Sequence, residues 1–237
     1  MDTSIKMPSD SKVEIMSNYK VKVLKTDMVT HNVKRFEVQR PMGYNFISGQ
    51  ATDVSLNKYG MEKELRPFTF TSICDSDYLE FMIKIYSGHD GVTKKLGDVE
   101  AGDELILHDV FGTITYHGPG LFIAGGTGIT PFISIFRDLK SKGTLEGNKL
   151  IFVNRTNADV ILKEELEEML SENFIKVVET SSDPSLTPGA LNRELLETYV
   201  DDKNQFYYVC GPDSFTLAMV EHLVELGVDK RQIIIEQ

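Results

Sequence analysis

Residues 121 to 131, LFIAGGTGITP, run an apolar stretch into a glycine-rich turn and on into a helical pattern. Glycines let backbone amides approach a pyrophosphate closely, and a helix start adds unpaired N–H groups with a partial positive charge. Gly125, Gly126, Thr127, Gly128, Thr130 and Pro131 are therefore expected to bind a dinucleotide phosphate; the competing reading is a tight βα turn kept small for packing. The spacing is not the G-x-G-x-x-G of an ordinary Rossmann fingerprint. A second group, Arg66-Pro67-Phe68-Thr69, offers a guanidinium that forks onto phosphate, a ring that covers a flat heterocycle and a hydroxyl for a ring nitrogen. Taken alone, the same residues describe a surface arginine beside a core phenylalanine.

Two kinds of element must hold these groups. From Tyr19 to about Tyr116 the chain consists of short β-rich runs: YKVKVLKT, VKRFEVQ, ATDVSL, FTFTS, YLEFMIKIY and ELILHDV. Such runs without long helices suggest a small antiparallel β-barrel, with GVTKKLGDV as its one helical candidate. After His117-Gly118-Pro119-Gly120, the runs LFIAG, KLIFVN, FIKVVET and FYYVCG alternate with amphipathic helices, the pattern of a three-layer α/β domain on a parallel sheet. The first helix is expected to start with Thr130 as cap and to bury Phe132, Ile135, Phe136 and Leu139. The second carries Leu162, Leu166, Met169 and Leu170. The last places Phe215, Met219, His222 and Leu223 on one side and stops at Gly227, with QIIIE as a closing strand. The division expected is a mobile tail over 1–18, the barrel over 19–117 and the nucleotide-binding domain over 118–237.

The bulk properties narrow the classes. A formal net charge of −11 argues against nucleic-acid or anionic-membrane binding, which need a basic face. Lys58, Lys63, Lys94 and Lys95 are the candidate local basic patch for docking an acidic electron carrier. No apolar run approaches the ~18 residues of a membrane span, and the first residues lack a secretion signal, so the expected compartment is the cytoplasm. Two cysteines, Cys74 and Cys210, are too few for a disulfide framework or for an iron–sulfur cluster held by this chain, and no metal site is expected. His222, on an apolar helix face, reads as a satisfied core residue.

Arg66-Pro67-Phe68-Thr69, Gly91-Val92-Thr93, Gly125 to Pro131 and Cys210-Gly211-Pro212 occur in the order found in the ferredoxin–NADP reductase superfamily, which residues 19 to 236 resemble. Both its flavodoxin/ferredoxin reductase and its cytochrome b5 reductase-like branches are similar. The resemblance implies a flavin-binding barrel followed by a nicotinamide-binding domain, with FAD favoured over FMN. Hydride would pass from nicotinamide C4 to flavin N5 at the junction, and electrons onward to a separate acceptor such as ferredoxin, flavodoxin or a cytochrome. The alternatives are a flavin or quinone reductase acting on a small molecule, or an electron-transfer subunit of a larger complex.

Carried over by position, Arg66 would hold a flavin phosphate, Phe68 would cover the isoalloxazine and Thr69 would reach N5, with Pro67 among the cofactor-binding residues. Gly91, Val92 and Thr93 would bind the pyrophosphate through a helix start, and FISGQ (46–50) is given a structural role. Cys210, with Gly211 and Pro212, would sit by the nicotinamide and position it; otherwise it is a small buried hydrophobe. Glu236 matches an acid near the active site, or is a solvated end charge. Asn154 to Leu162 is similar to a segment of NADH-using cytochrome b5 reductases: Asp159 would accept from the adenosine ribose and repel a 2′-phosphate, favouring NADH, whereas Arg155 would favour NADPH, and Asp159 as a helix cap would favour neither. Three departures are visible. Phe68 replaces a tyrosine, Thr69 replaces a serine, and no terminal aromatic follows Ile235-Glu236-Gln237.

Overall fold

The computed structural model describes residues 18–58, 60–86, 88, 91–112, 114–180 and 187–236. The tail expected at 1–18 lies outside these, Asn18 excepted. Six antiparallel strands form the first sheet: β1 (Tyr19–Met28), β2 (Val33–Gln39), β3 (Ala51–Leu56), β4 (Arg66–Thr69), β5 (Tyr78–Lys84) and β6 (Glu104–Phe111), in the order β4-β3-β6-β1-β2-β5. An isolated antiparallel bridge from Phe70 to Phe81 joins the end of β4 to β5, so that the sheet curls round into a barrel. Its interior is aromatic, with Phe36, Phe70 and Phe81 fully buried.

Between β5 and β6 lies the four-residue helix α1 (Val92–Lys95). Val92 and Leu96 sink into the same core that Phe68 packs against. The FISGQ segment is structural: Phe46 stacks on Phe70 at 4.2 Å, and at Gly49 (φ +97°) a Cβ would lie 1.9 Å from the Ile114 carbonyl oxygen.

The second sheet is parallel, in the order β10-β9-β8-β7-β11-β12. Its strands are β7 (Gly120–Gly125), β8 (Lys149–Asn154), β9 (Phe174–Val178), β10 (Thr187–Pro188), β11 (Phe206–Cys210) and β12 (Ile233–Ile235). Strand period two sorts the side chains into layers. Phe122, Ala124, Leu150, Phe152, Tyr208 and Cys210 face α2 (Thr130–Ser141) and α3 (Lys163–Leu170). Leu121, Ile123, Ile151, Tyr207 and Val209 face α4 (Arg193–Glu197) and α5 (Asp213–Glu225), which ends at Gly227 with φ +87°.

The first of these layers also contains Val33, Met82 and Ile114 of the barrel, so α2 lies between sheet and barrel. That explains why Ile133 and Ser134 are buried along with the expected face of Phe132, Ile135, Phe136 and Leu139. The linker is fixed by Tyr208, whose hydroxyl accepts from the His117 and Gly118 amides (2.9 and 3.1 Å) and donates to the Gly118 carbonyl (2.8 Å).

Two expectations need correction. Thr130 does not cap α2: a 3₁₀ turn over Gly126–Ile129 runs straight into the helix, the cap position falls on Ile129, and the Thr130 hydroxyl donates to the Thr127 carbonyl at 3.0 Å. His222 is half-buried, and its Nδ1 has no hydrogen-bond partner and lies 3.9 Å from the Glu225 carboxylate, so it is not a satisfied core group. No helix among the described residues is long and apolar enough to cross a membrane.

Candidate functional site

Parallel pairing puts Cys210 of β11 beside Ala124 of β7, at the carboxyl ends of two central strands where α/β ligands bind. The loops that follow are pressed together. A Cβ on Gly128 would meet the Cys210 carbonyl oxygen at 2.3 Å; on Gly125 and Gly211 it would meet the Phe215 ring at 2.9 and 2.6 Å. At these three positions the neighbouring atoms leave no room for a side chain. Gly126 differs: it is half-buried at φ +54° with nothing within 4 Å of its Cβ direction. Its amide, with those of Thr127 and Gly128, belongs to a helix start, whose first N–H groups have no intrahelical acceptor. Thr130 and Pro131 are buried at the start of α2.

Beside this turn opens a cleft of about 500 Å3 lined by Cys210, Gly211, Asp213, Thr216, Leu217 and Glu236 among others. Pro212 is exposed at its rim. Cys210 is buried, and its Sγ lies 3.9 Å from Glu236 Oε2. Burial first, and then the neighbouring carboxylate, push the thiol up to about 12. The sulfur is thus a neutral, soft surface and not a nucleophile.

On the barrel, β4 pairs with β3 so that Arg66 faces Val54, Phe68 faces Thr52 and Thr69 faces Ala51. Arg66 and Pro67 are exposed; Phe68 and Thr69 are half-buried. Among the described residues the guanidinium donates to the Leu65 carbonyl (2.6 Å) and lies 3.9 Å from Glu64. Gly91 precedes α1 with open space at its Cβ direction, while the Val92 side chain is buried, so only backbone and the half-buried Thr93 can face a ligand. An exposed forked cation, a half-buried ring with a hydroxyl next to it, and an uncovered glycine suit a flavin dinucleotide.

Asp159 is used locally. Its Oδ2 accepts from the Thr156 amide (3.0 Å) and hydroxyl (2.6 Å) in a capping box on the 3₁₀ turn Asn157–Asp159, while Oδ1 lies 3.7 Å from His31 of the barrel. It does not cap α3, which begins after Leu162 in a left-handed conformation. Arg155 is exposed. In the basic patch, Lys58 is ion-paired with Asp103 at 2.5 Å, which compensates its charge locally. Among the described residues no group of three or more His, Cys, Asp or Glu is arranged to hold a metal.

The structure thus joins an antiparallel β-barrel to a parallel α/β unit, with Arg66 and Pro67 exposed on the one and Gly126 uncovered on the other. A FAD-binding domain model matches residues 14–119 and an oxidoreductase NAD-binding domain model matches residues 122–221. The chain is 25% identical to NADH-cytochrome b5 reductase 2 of Danio rerio, covering 91% of this chain and 83% of that protein. It is 27% identical to cytochrome b5 reductase 4 of Xenopus tropicalis over 88% of its own length but spans only 45% of that protein. A ferredoxin NADP+ reductase structure from Neisseria gonorrhoeae, with bound FAD and NADP, shares the fold with a TM-score of 0.80 at 20% identity, covering 92% and 97% of the two chains. The chain belongs to the ferredoxin–NADP reductase superfamily, as a flavin-dependent NAD(P)H oxidoreductase.

Proposed function

We propose that this protein takes hydride from NADH and delivers electrons through FAD to a small one-electron carrier protein of the cytochrome b5 or ferredoxin type. The observation that supports it most is the pairing of two open ligand surfaces on elements packed against each other: β4 leads into the strand end that touches α2, and α2 begins at the turn beside Cys210. Bound FAD would supply the hydride acceptor and pass the electron pair on singly. In this reading Arg66 and the amides of Gly91, Val92 and Thr93 hold its phosphates, Phe68 covers the ring and Thr69 hydrogen-bonds its edge. Gly126, Thr127 and Gly128 take the pyrophosphate of the nicotinamide dinucleotide. Cys210 and Glu236 shape the nicotinamide pocket, and no strong acid or base is needed. Asp159, holding its loop in place, favours a ribose without 2′-phosphate. The division between the two units falls at 117–118.

A visible absorption spectrum of the purified protein, followed by parallel anaerobic titration with NADH and NADPH, tests cofactor and donor together. Flavin bands bleached by NADH at lower concentration than by NADPH are expected. A colourless preparation that takes up neither FAD nor FMN would sink the proposal. Cys210→Ala is expected to keep FAD and to lower the limiting rate of flavin reduction about tenfold in stopped flow; an unchanged rate removes the residue from the site.

A further inference from the structure

The barrel strand that carries Arg66–Thr69 does not end at the flavin surface. Two residues on, the Thr71 carbonyl accepts from Arg137 Nη1 of α2 (2.8 Å), and the Ser72 carbonyl accepts from the Ser134 hydroxyl (2.8 Å). Arg137 Nη1 also donates to Oε1 of Glu80 on β5 (2.6 Å), an oxygen shared with the Thr71 hydroxyl (2.6 Å). The other edge of the guanidinium forks onto Glu165 of α3, with Nε and Nη2 at 2.5 and 2.9 Å. Glu80 is 2% exposed; Arg137 makes the short contact to its Oε1, while Arg35 Nη1 lies farther off, 4.0 Å from its Oε2. One side chain therefore ties β4's continuation, β5, α2 and α3 together, and α2 is the helix that starts at the glycine-rich turn.

The apolar seam of Val33, Met82 and Ile114 against α2 is non-directional and permits sliding. A guanidinium fork fixes angle as well as distance. A cleft of about 700 Å3, lined by Arg35, Glu80, Arg137 and Glu165 among others, opens directly beside the clamp, so apolar packing does not hold the two units on that side.

We propose that Arg137 is a positioning residue for the redox step: it locks the flavin strand to the dinucleotide helix and so sets the distance and tilt between the two rings. This rests on the function proposed above. Arg137→Lys keeps a cation for Glu80 but cannot make the fork, and Glu165→Gln leaves Arg137 paired to Glu80 while loosening its other edge. Arg137→Lys should bind one FAD as before and change the KM for NADH less than about threefold, while the limiting rate of flavin reduction falls about tenfold or more. The long-wavelength charge-transfer absorbance that stacked rings give after anaerobic NADH addition should weaken in parallel, and calorimetry of the apoprotein should show the two units unfolding at more widely separated temperatures than in the wild type. Glu165→Gln should show the same signature at smaller size, and it remains informative if Arg137→Lys does not fold. Wild-type reduction rate per bound flavin with undiminished charge-transfer absorbance, in whichever variant folds, would overturn the assignment. A wild-type protein that binds FAD but is reduced by neither dinucleotide would defeat the underlying function instead.

Discussion

The two ligand surfaces are built on opposite physical terms. On the α/β side the turn at 125–128 and the Cys210–Pro212 loop are in mutual van der Waals contact, and three of the glycines are there because neighbouring atoms leave no room for a Cβ. On the barrel side Arg66 and Pro67 are exposed, Gly91 faces open space, and only Phe68 and Val92 connect the site to the core. The dinucleotide half is thus shaped by its own fold, whereas the flavin half holds out groups that the ligand would complete. Substitutions should separate accordingly: those on the first side change stability together with binding, those on the second binding alone.

The largest effect is expected at Gly128. An alanine there places its methyl against the Cys210 carbonyl, a backbone atom that cannot rotate away, so urea unfolding of the apoprotein should show a loss of about 3 kcal/mol. A fully stable Gly128→Ala protein would break the comparison. Arg66→Ala comes next and should weaken FAD binding roughly tenfold to a hundredfold, as expected for a lost charge-assisted contact, with the melting temperature of the apoprotein unmoved. Loss of apoprotein stability in this variant would show that the barrel site is also part of the fold.

Gly126→Ala sharpens the contrast within one turn. Its methyl meets nothing, and only the positive φ is penalised, so about 1 kcal/mol of stability and a several-fold rise in the KM for NADH are expected. The smallest effect is a pH dependence. The Cys210 thiol titrates at 9.0 unperturbed and at about 12 in the fold, so its contribution is complete below pH 9 and is lost as pH rises toward 12. By pH 9.5 the loss should be about 1 kcal/mol relative to Cys210→Ala in parallel urea titrations. Identical pH profiles for the two proteins would mean that the sulfur is not buried as described.

Much of this architecture was readable from pattern. Alternation in VKRFEVQ and YLEFMIKIY marks strands with one buried face; five of the six barrel runs lie on β1, β2, β3, β5 and β6, whereas FTFTS overlaps β4 only at Phe68 and Thr69. The four apolar runs after Gly120 become β7, β8, β9 and β11. The pieces that escaped are short. β10 is two residues with a proline, and α4 is five residues; its one signal, Asn192 accepting from the Leu195 amide at 2.9 Å, is a single cap residue in a polar stretch. Thr130 looked like a cap because Thr-Pro before an apolar period is a helix start, but the glycines ahead of it were already helical.

What the residues determined by themselves was local: which segments alternate with period two or 3.6, where the chain must turn, and which chemical groups two βα loops and one barrel strand can offer. Folding decided how those groups are used. Only the packed structure separates Gly126, with open space at its Cβ direction, from Gly125 and Gly128, closed against Phe215 and Cys210, because a glycine's surroundings depend on atoms distant in the chain. The joining of Thr71, Glu80, Arg137 and Glu165 is likewise invisible in sequence, since they lie on three elements and the segment after β4 and carry no spacing pattern of their own.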